Sequence, residues 1–269
     1  ECSYISFLTE PSTTRTDGSA MKPFAICIYV LATLACFLTS AANAAPWMVK
    51  DGQARAEIVI ADKPARAAEF GASELQTYIE KITGCRLDIL TAPSDTMPVK
   101  IFVGESKAAR QAGVTAVGLG RDAFRMVSGP DWLALVGNDA EFVPREPWAR
   151  HHGKWIGETK KALEELDGHP WRKTIASRIY KNYNQHLDIW SYDHRGSLNA
   201  VYAFLRELGV RWYMPGELGE IVPETRDLAL PEVDRTVRPA FEVRSVSRPM
   251  LSSSDVEHAL WYLRIGAND

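Results

Sequence analysis

Six histidines, four cysteines and 34 acidic residues are the chain's stock of metal ligands, nucleophiles and proton carriers. Their spacing decides what they could do. His151 and His152 are adjacent, so in a regular helix or strand their rings point in different directions, and no His-Glu-x-x-His pattern sets two imidazoles on one helix face. His169, His186 and His194 stand at no ligand spacing, so the reading is surface histidines and no metal. A metallohydrolase would need three His or carboxylate side chains brought together by the fold alone. Gly118-Leu-Gly120 leads toward a hairpin rather than a helix, so it is no phosphate cradle, and no cofactor is expected. Glu217 and Glu220 follow a strand, a place where acid–base chemistry could sit, but loop acids of this kind are ordinarily solvated. Cys85, directly after a helix-ending glycine, reads as a small buried apolar residue rather than a thiol nucleophile. No catalytic residue is assigned.

The elements that must position any site come next. With 269 residues, 46% of them hydrophobic, the chain can bury a sizeable core. A formal charge of −3 gives no polyanion-binding surface, so nucleic acid is not an expected partner. Residues 1–20 are polar and aperiodic and read as a leader outside the fold. From Met21 to Ala44 the layout is that of a secretory signal peptide: Lys22, an apolar stretch from Phe24 to Leu38, and Ala42-Asn43-Ala44 as a small-x-small cleavage site. The apolar run is shorter than the roughly 20 residues that cross a bilayer, so no stable membrane insertion is expected after cleavage. Lipid attachment at Cys36 is the lesser alternative, because Thr33 replaces the usual leucine of a lipoprotein signal. The expected mature chain starts at Ala45, is periplasmic or extracellular, and keeps Cys85 alone, which rules out an intrachain disulfide.

The segment 195–215 is punctuated at both ends. Ser197 is placed as an N-cap, Leu198, Val201, Tyr202, Leu205 and Leu208 fall at helical spacing, and Gly209 stands where a left-handed residue ends a helix. Val210 to Met214 then reads as a strand stopped by Pro215-Gly216. Upstream, Ala54 to Ala61 reads as a strand. A helix opened by Asp62 and Pro64 follows, with Ala68, Ala72, Leu75, Ile79 and Ile82 on one face and Gly84 at its end. Leu87–Leu90 and Val99–Gly104 are further strands, Lys107–Ala112 a short helix. Ala123–Ser128 and Trp132–Gly137 flank Gly129-Pro130-Asp131 as a hairpin. Gly219–Pro223 and Asp227–Pro231 read as short strands, Asp234–Pro239 as a linker, Ala240–Val246 as another strand, and Ser254-Asp-Val-Glu257 as a capping box that starts a helix.

Between Ala140 and His194 the composition changes. Five of the six histidines lie there, with Trp148, Trp155, Trp171, Tyr180, Tyr183, Trp190 and Tyr192. Helices are expected at Gly157–Asp167 and Trp171–Tyr183. Aromatic rings stack on sugar faces, so this insertion raises a carbohydrate-binding role; the plainer reading is that the rings form the insertion's own core.

The order Arg195-Gly196, then Leu208-Gly209-Val210-Arg211-Trp212-Tyr213, with the earlier strand end Phe102-Val103-Gly104, resembles the non-catalytic domain that precedes the catalytic barrel in bacterial alpha-glucuronidases, family 20 hexosaminidases and their relatives. The resemblance runs from about Ala54. It implies an α+β fold, a mixed sheet with two main helices on one face, followed by the start of a barrel. The implied organisation is an accessory domain at 45–233 carrying the insertion 140–194, a linker at 234–240, and a first barrel fragment at 241–269. It also implies that Pro239-Ala-Phe-Glu-Val-Arg244, similar to a hexosaminidase strand, places Arg244 as a substrate-binding residue, although Ser245 stands where that family has glycine. The implied partners are a carbohydrate and the chain's own catalytic barrel. The competing reading is an independent sugar-binding or cell-surface module that uses the aromatic insertion.

Overall fold

The computed structural model describes residues 46–143, 152–168, 183–184, 186–245 and 256–268. Six strands form the central sheet: β1 (Ala56–Val59), β2 (Ile89–Leu90), β3 (Val99–Val103), β4 (Phe124–Ser128), β5 (Trp132–Gly137) and β6 (Asp234–Val237). Their order is β6-β4-β5-β3-β1-β2. The pairs β2/β1, β1/β3 and β3/β5 are parallel; β5/β4 and β4/β6 are antiparallel, so the sheet is mixed. The apolar runs of β1, β3 and β5 are buried on both faces, as the interior strands of a covered sheet require.

Two long helices cover one face. Helix α1 (Arg66–Thr83) buries Ala68, Ala72, Leu75, Tyr78, Ile79 and Ile82 at a helical period and ends at Gly84, whose φ of 71° and N–H to the Glu80 carbonyl make a left-handed cap. Helix α4 (Gly196–Glu207) buries Leu198, Val201, Tyr202, Phe204 and Leu205, packs against α1, and is followed by Gly209 at φ 97°. The opposite face carries the short helix α2 (Lys107–Gln111) over Val59, Phe102, Ala134 and Val136. This is the α+β arrangement expected, with both main helices on one side.

Helix α4 starts differently from the expectation. Arg195 occupies the N-cap position and Ser197 lies in the first turn, where its N–H donates to Asp139 Oδ1 at 2.8 Å and its Oγ accepts the Gly137 N–H at 2.9 Å. The cap comes from a neighbouring strand, so local sequence could not show it. The close approach has a steric cause: a Cβ on Gly137 would lie 2.0 Å from the Gly196 carbonyl carbon, and one on Gly196 would lie 2.4 Å from the Asn138 nitrogen. Only two glycines let the end of β5 meet the start of α4.

Other boundaries also move. Asp234–Val237, read as part of a linker, is the outer strand of the main sheet. The strand expected at 210–214 contracts to Arg211–Trp212, paired with Glu220–Ile221 in a separate hairpin, and Leu228–Ala229 joins Trp47–Lys50. In the expected strand at 240–246, the described residues 240–245 form no ladder. Phe241 is 73% exposed, and Arg244 alone bridges to Asn268. Helix α3 (His152–Asp167) starts earlier than read; the expected helix Trp171–Tyr183 lies largely outside the described residues. Helix α5 (Val256–Arg264) follows the capping box and buries Ala259, Tyr262 and Leu263 in the main core. No barrel is present among the described residues, and no helix among them is long and apolar enough to cross a membrane.

Candidate functional site

Among the described residues a buried polar cluster lies where the residues that follow α5 and the segment around Arg244 meet the sheet. At its centre is Asp122, fully buried in the turn before β4 and held at φ 57°, a left-handed conformation that aspartate tolerates. Its Oδ1 accepts the Arg195 N–H at 2.8 Å; its Oδ2 accepts Arg244 Nη2 at 2.7 Å and Asn268 Nδ2 at 2.8 Å. Arg195, 2% exposed, sends Nη2 to the Ala267 carbonyl at 3.0 Å. Three distant stretches of chain therefore converge on one carboxylate.

The electrostatics follow from that geometry. Burial alone would raise the Asp122 pKa, but the Arg195 charge and N–H, with Arg121 and Arg244, outweigh it and hold the carboxyl down at about 2. Burial depresses the Arg195 pKa against the pull of Asp122 and Asp193. Asp193 continues the alternation: it accepts Arg66 Nη2 at 2.8 Å and the N–H groups of Phe142 and Trp190 at 2.7 and 2.8 Å, while burial moves its own pKa upward. A permanently ionised carboxylate between two guanidinium groups neither gives nor takes a proton near neutrality. What it can do is fix the position of what carries those groups.

A second clamp holds Arg264, the last residue of α5, three to four residues before the part of the chain that the Asp122 cluster grips. Arg264 lies 3.2 Å from Glu74 Oε2 on α1 and 3.5 Å from Glu220 Oε2, and Glu74 also accepts the Tyr202 hydroxyl at 3.1 Å. Trp212 Nε1 donates to the Tyr78 hydroxyl at 2.7 Å, and Tyr78 in turn donates to Glu220. Burial would raise the Glu220 pKa, yet the Lys81 and Tyr78 hydrogen bonds leave it lowered. This acid, expected to be solvated, is part of a half-buried ion cluster because α1 and α5 both pass beside its hairpin. Glu217 remains exposed.

A cleft of about 270 Å³ opens at the carboxyl ends of β1, β3 and β5, with Ala65, Ala68, Glu105, Asn138 and Asp139 among its lining residues. Burial pushes the Asp139 carboxyl up to about 7 against the opposing hydrogen bonds from Ser197. That value suits proton transfer, but the carboxylate is occupied as the cap of α4. Glu105 is held by Arg110 at 3.0 Å and by the Ala116 N–H at 3.1 Å. Both acids of the cleft are thus engaged by partners within the domain.

Arg244, the residue assigned to substrate, is 23% exposed at its side chain. It sends Nε to the Gly266 carbonyl at 2.8 Å, Nη1 to the Phe241 carbonyl at 2.9 Å and Nη2 to Asp122. Those internal partners define its geometry. Trp190 and Tyr192 of the insertion are buried edge-on against Phe142 at 5.2 and 5.5 Å, so neither ring offers a face for a sugar. Trp148, Trp171 and Tyr180 lie outside the described residues, as do His151 and His169. His194, read as a surface residue, is buried in a two-residue strand paired with Asp139–Ala140. His186 is exposed, and Cys85 is partly buried against the core. Among the described residues, no group of three His, Cys, Asp or Glu side chains could hold a metal ion.

Sequence reasoning missed Asp122. Its only local signal was an aspartate in a turn; its partners lie 73, 122 and 146 residues downstream.

The fold and the cluster define an α+β domain whose C-terminal segment is tied to it by a buried ionic cluster. No protein-family model and no curated relative matches the chain. Among solved structures it is similar to a family GH115 4-O-methyl-alpha-glucuronidase with specificity for decorated arabinogalactans, at 17% identity and a TM-score of 0.44, over 73% of this chain and 19% of that one. The chain thus spans about a fifth of that enzyme's length. At this level the likeness concerns the backbone and transfers none of that enzyme's site residues.

Proposed function

We propose that the α+β part of the chain is a non-catalytic accessory domain of an exported protein that acts on carbohydrate, and that its work is to hold in place a following domain that begins near residue 241. The observation that carries this reading is the Asp122 junction, in which a buried carboxylate ties the C-terminal segment, through Arg244 and Asn268, to the start of β4 and of α4. A buried ion cluster is a poor source of net stability but a strong source of fixed geometry, which is what a buttress needs. The carbohydrate class is supported by the resemblance of the segment 195–223 to the domain that precedes glycosidase barrels. Export is supported by the layout of residues 21–44. In this reading Arg244 is first a positioning residue: its ion pair sets the start of the next domain, and any hydroxyl contact would use its exposed edge.

The test is turnover. The chain, assayed against aryl glycosides and aryl glucuronides across neutral pH, is expected to release no product. Hydrolysis that survives repurification would overturn the non-catalytic reading.

A further inference from the structure

The outer edge of the sheet carries a second cleft, of about 480 Å³, on the helix-bearing side. It exists because β6 extends the sheet past the reach of α4. Its floor comes from paired residues of β4 and β6, Phe124 opposite Val237 and Met126 opposite Arg235. Ala203, Arg206, Glu207 and Arg211 complete the lining.

Three guanidinium groups and one carboxylate line this space. Arg206 Nη1 donates to the Arg264 carbonyl at 2.9 Å, while Arg211 Nη1 donates to the Arg206 and Val210 carbonyls at 2.6 and 2.8 Å. Those acceptors are uncharged main-chain groups at helix ends. They orient two cations without neutralising either. Arg235 meets Glu207 at 2.6 Å, with 47% and 51% of the two side chains exposed, a surface pair that solvent weakens and a competing anion can replace. Two positive charges therefore remain in excess over an apolar floor. Burial, reinforced by the like charge of Arg211, presses the Arg206 pKa below its ordinary value, a mark of the same imbalance.

We infer that this cleft binds an oxyanion, a carboxylate, sulfate or phosphate group, carried on a body whose apolar face rests on the partly exposed side chains of Ala203 and Val237. A planar guanidinium presents paired donors that match such groups. Nothing in the accessory-domain reading requires the cleft, so either can fail without the other.

The experiment is calorimetric titration of the full chain with sulfate, phosphate and acetate, at an ionic strength held constant with chloride. Saturable binding of at least one anion is expected. Tighter binding of sulfate or phosphate assigns a tetrahedral group, and tighter binding of acetate a carboxylate. Arg211→Gln and Arg235→Gln alter exposed side chains, so both variants fold. Each weakens binding by about tenfold, and together they abolish it. Arg86→Gln, outside the cleft, leaves it unchanged. Heats no greater than those of chloride, or a double variant that binds as well as the parent, would overturn the proposal.

Discussion

Replacing Asp122 with asparagine removes one charge from a site where Arg195 and Arg244 both depend on it. Two routes bound the cost. The carboxyl is held at about 2 in the fold against 3.8 for the free group, which by linkage corresponds to about 2 kcal/mol favouring the ionised form. That is a lower bound, because protonated aspartic acid can still accept hydrogen bonds from the surrounding donors through its oxygens, whereas an amide NH2 cannot. Breaking a buried ion pair by removing one partner costs about 3 to 5 kcal/mol. Asp122→Asn falls between these figures and is worst for the C-terminal segment, since the asparagine NH2 group faces the Arg244 or Asn268 donors. Urea unfolding followed by circular dichroism measures the global loss. Hydrogen exchange then locates it: amides of α5 accelerate more than those of α1, whose cap at Gly84 lies outside the cluster. As a contrast, Glu80→Gln breaks the exposed Arg86 pair and costs less than about 1 kcal/mol. An Asp122→Asn protein with unchanged urea midpoint and unchanged α5 exchange would refute the junction as described.

Asp139 gives the opposite pH sign to Asp122. Its folded pKa of about 7 exceeds 3.8, so the fold binds the proton more tightly, and stability falls as pH rises from about 4 through 7 by roughly 4 kcal/mol; Asp139→Asn, which keeps an acceptor for the Ser197 N–H, removes that slope in urea titrations at pH 5 and pH 8. Asp122 contributes above 3.8 and is lost as pH falls toward 2, so its asparagine variant flattens the acid limb of the same profile. Gly137→Ala forces a methyl group into the Gly196 backbone and is expected to leave little folded protein, read as loss of the cooperative thermal transition. Mass spectrometry of the exported protein is expected to find Ala45 as the first residue; an intact residue 21 would sink the signal-peptide assignment.

Helices α1 and α4 were legible because each carries its apolar face and its terminating glycine within one short window. The interior strands were legible as apolar runs. Strand β6 was hidden by its role: an outer strand bearing Asp234 and Arg235 and followed by Arg238-Pro239 looks like a connection, since edge strands are kept polar to discourage further pairing. The cap of α4 and the Asp122 cluster depend on residues far apart in the chain, which no local period encodes. For Arg244, the resemblance suggested a substrate contact, whereas the weight of its geometry is in the ion pair that the residue type alone also allowed.

The separation of 146 residues between Asp122 and Asn268 sets a delay during synthesis. At ribosomal rates of about 5 to 20 residues per second, an emerging Asp122 waits roughly 7 to 30 seconds for its last partner. Through that interval the nascent chain holds a half-satisfied charge centre beside an unfinished sheet edge. A holdase that shields the segment 122–137 until translation passes residue 268 would raise the yield of native protein, and its benefit would shrink as elongation is made faster.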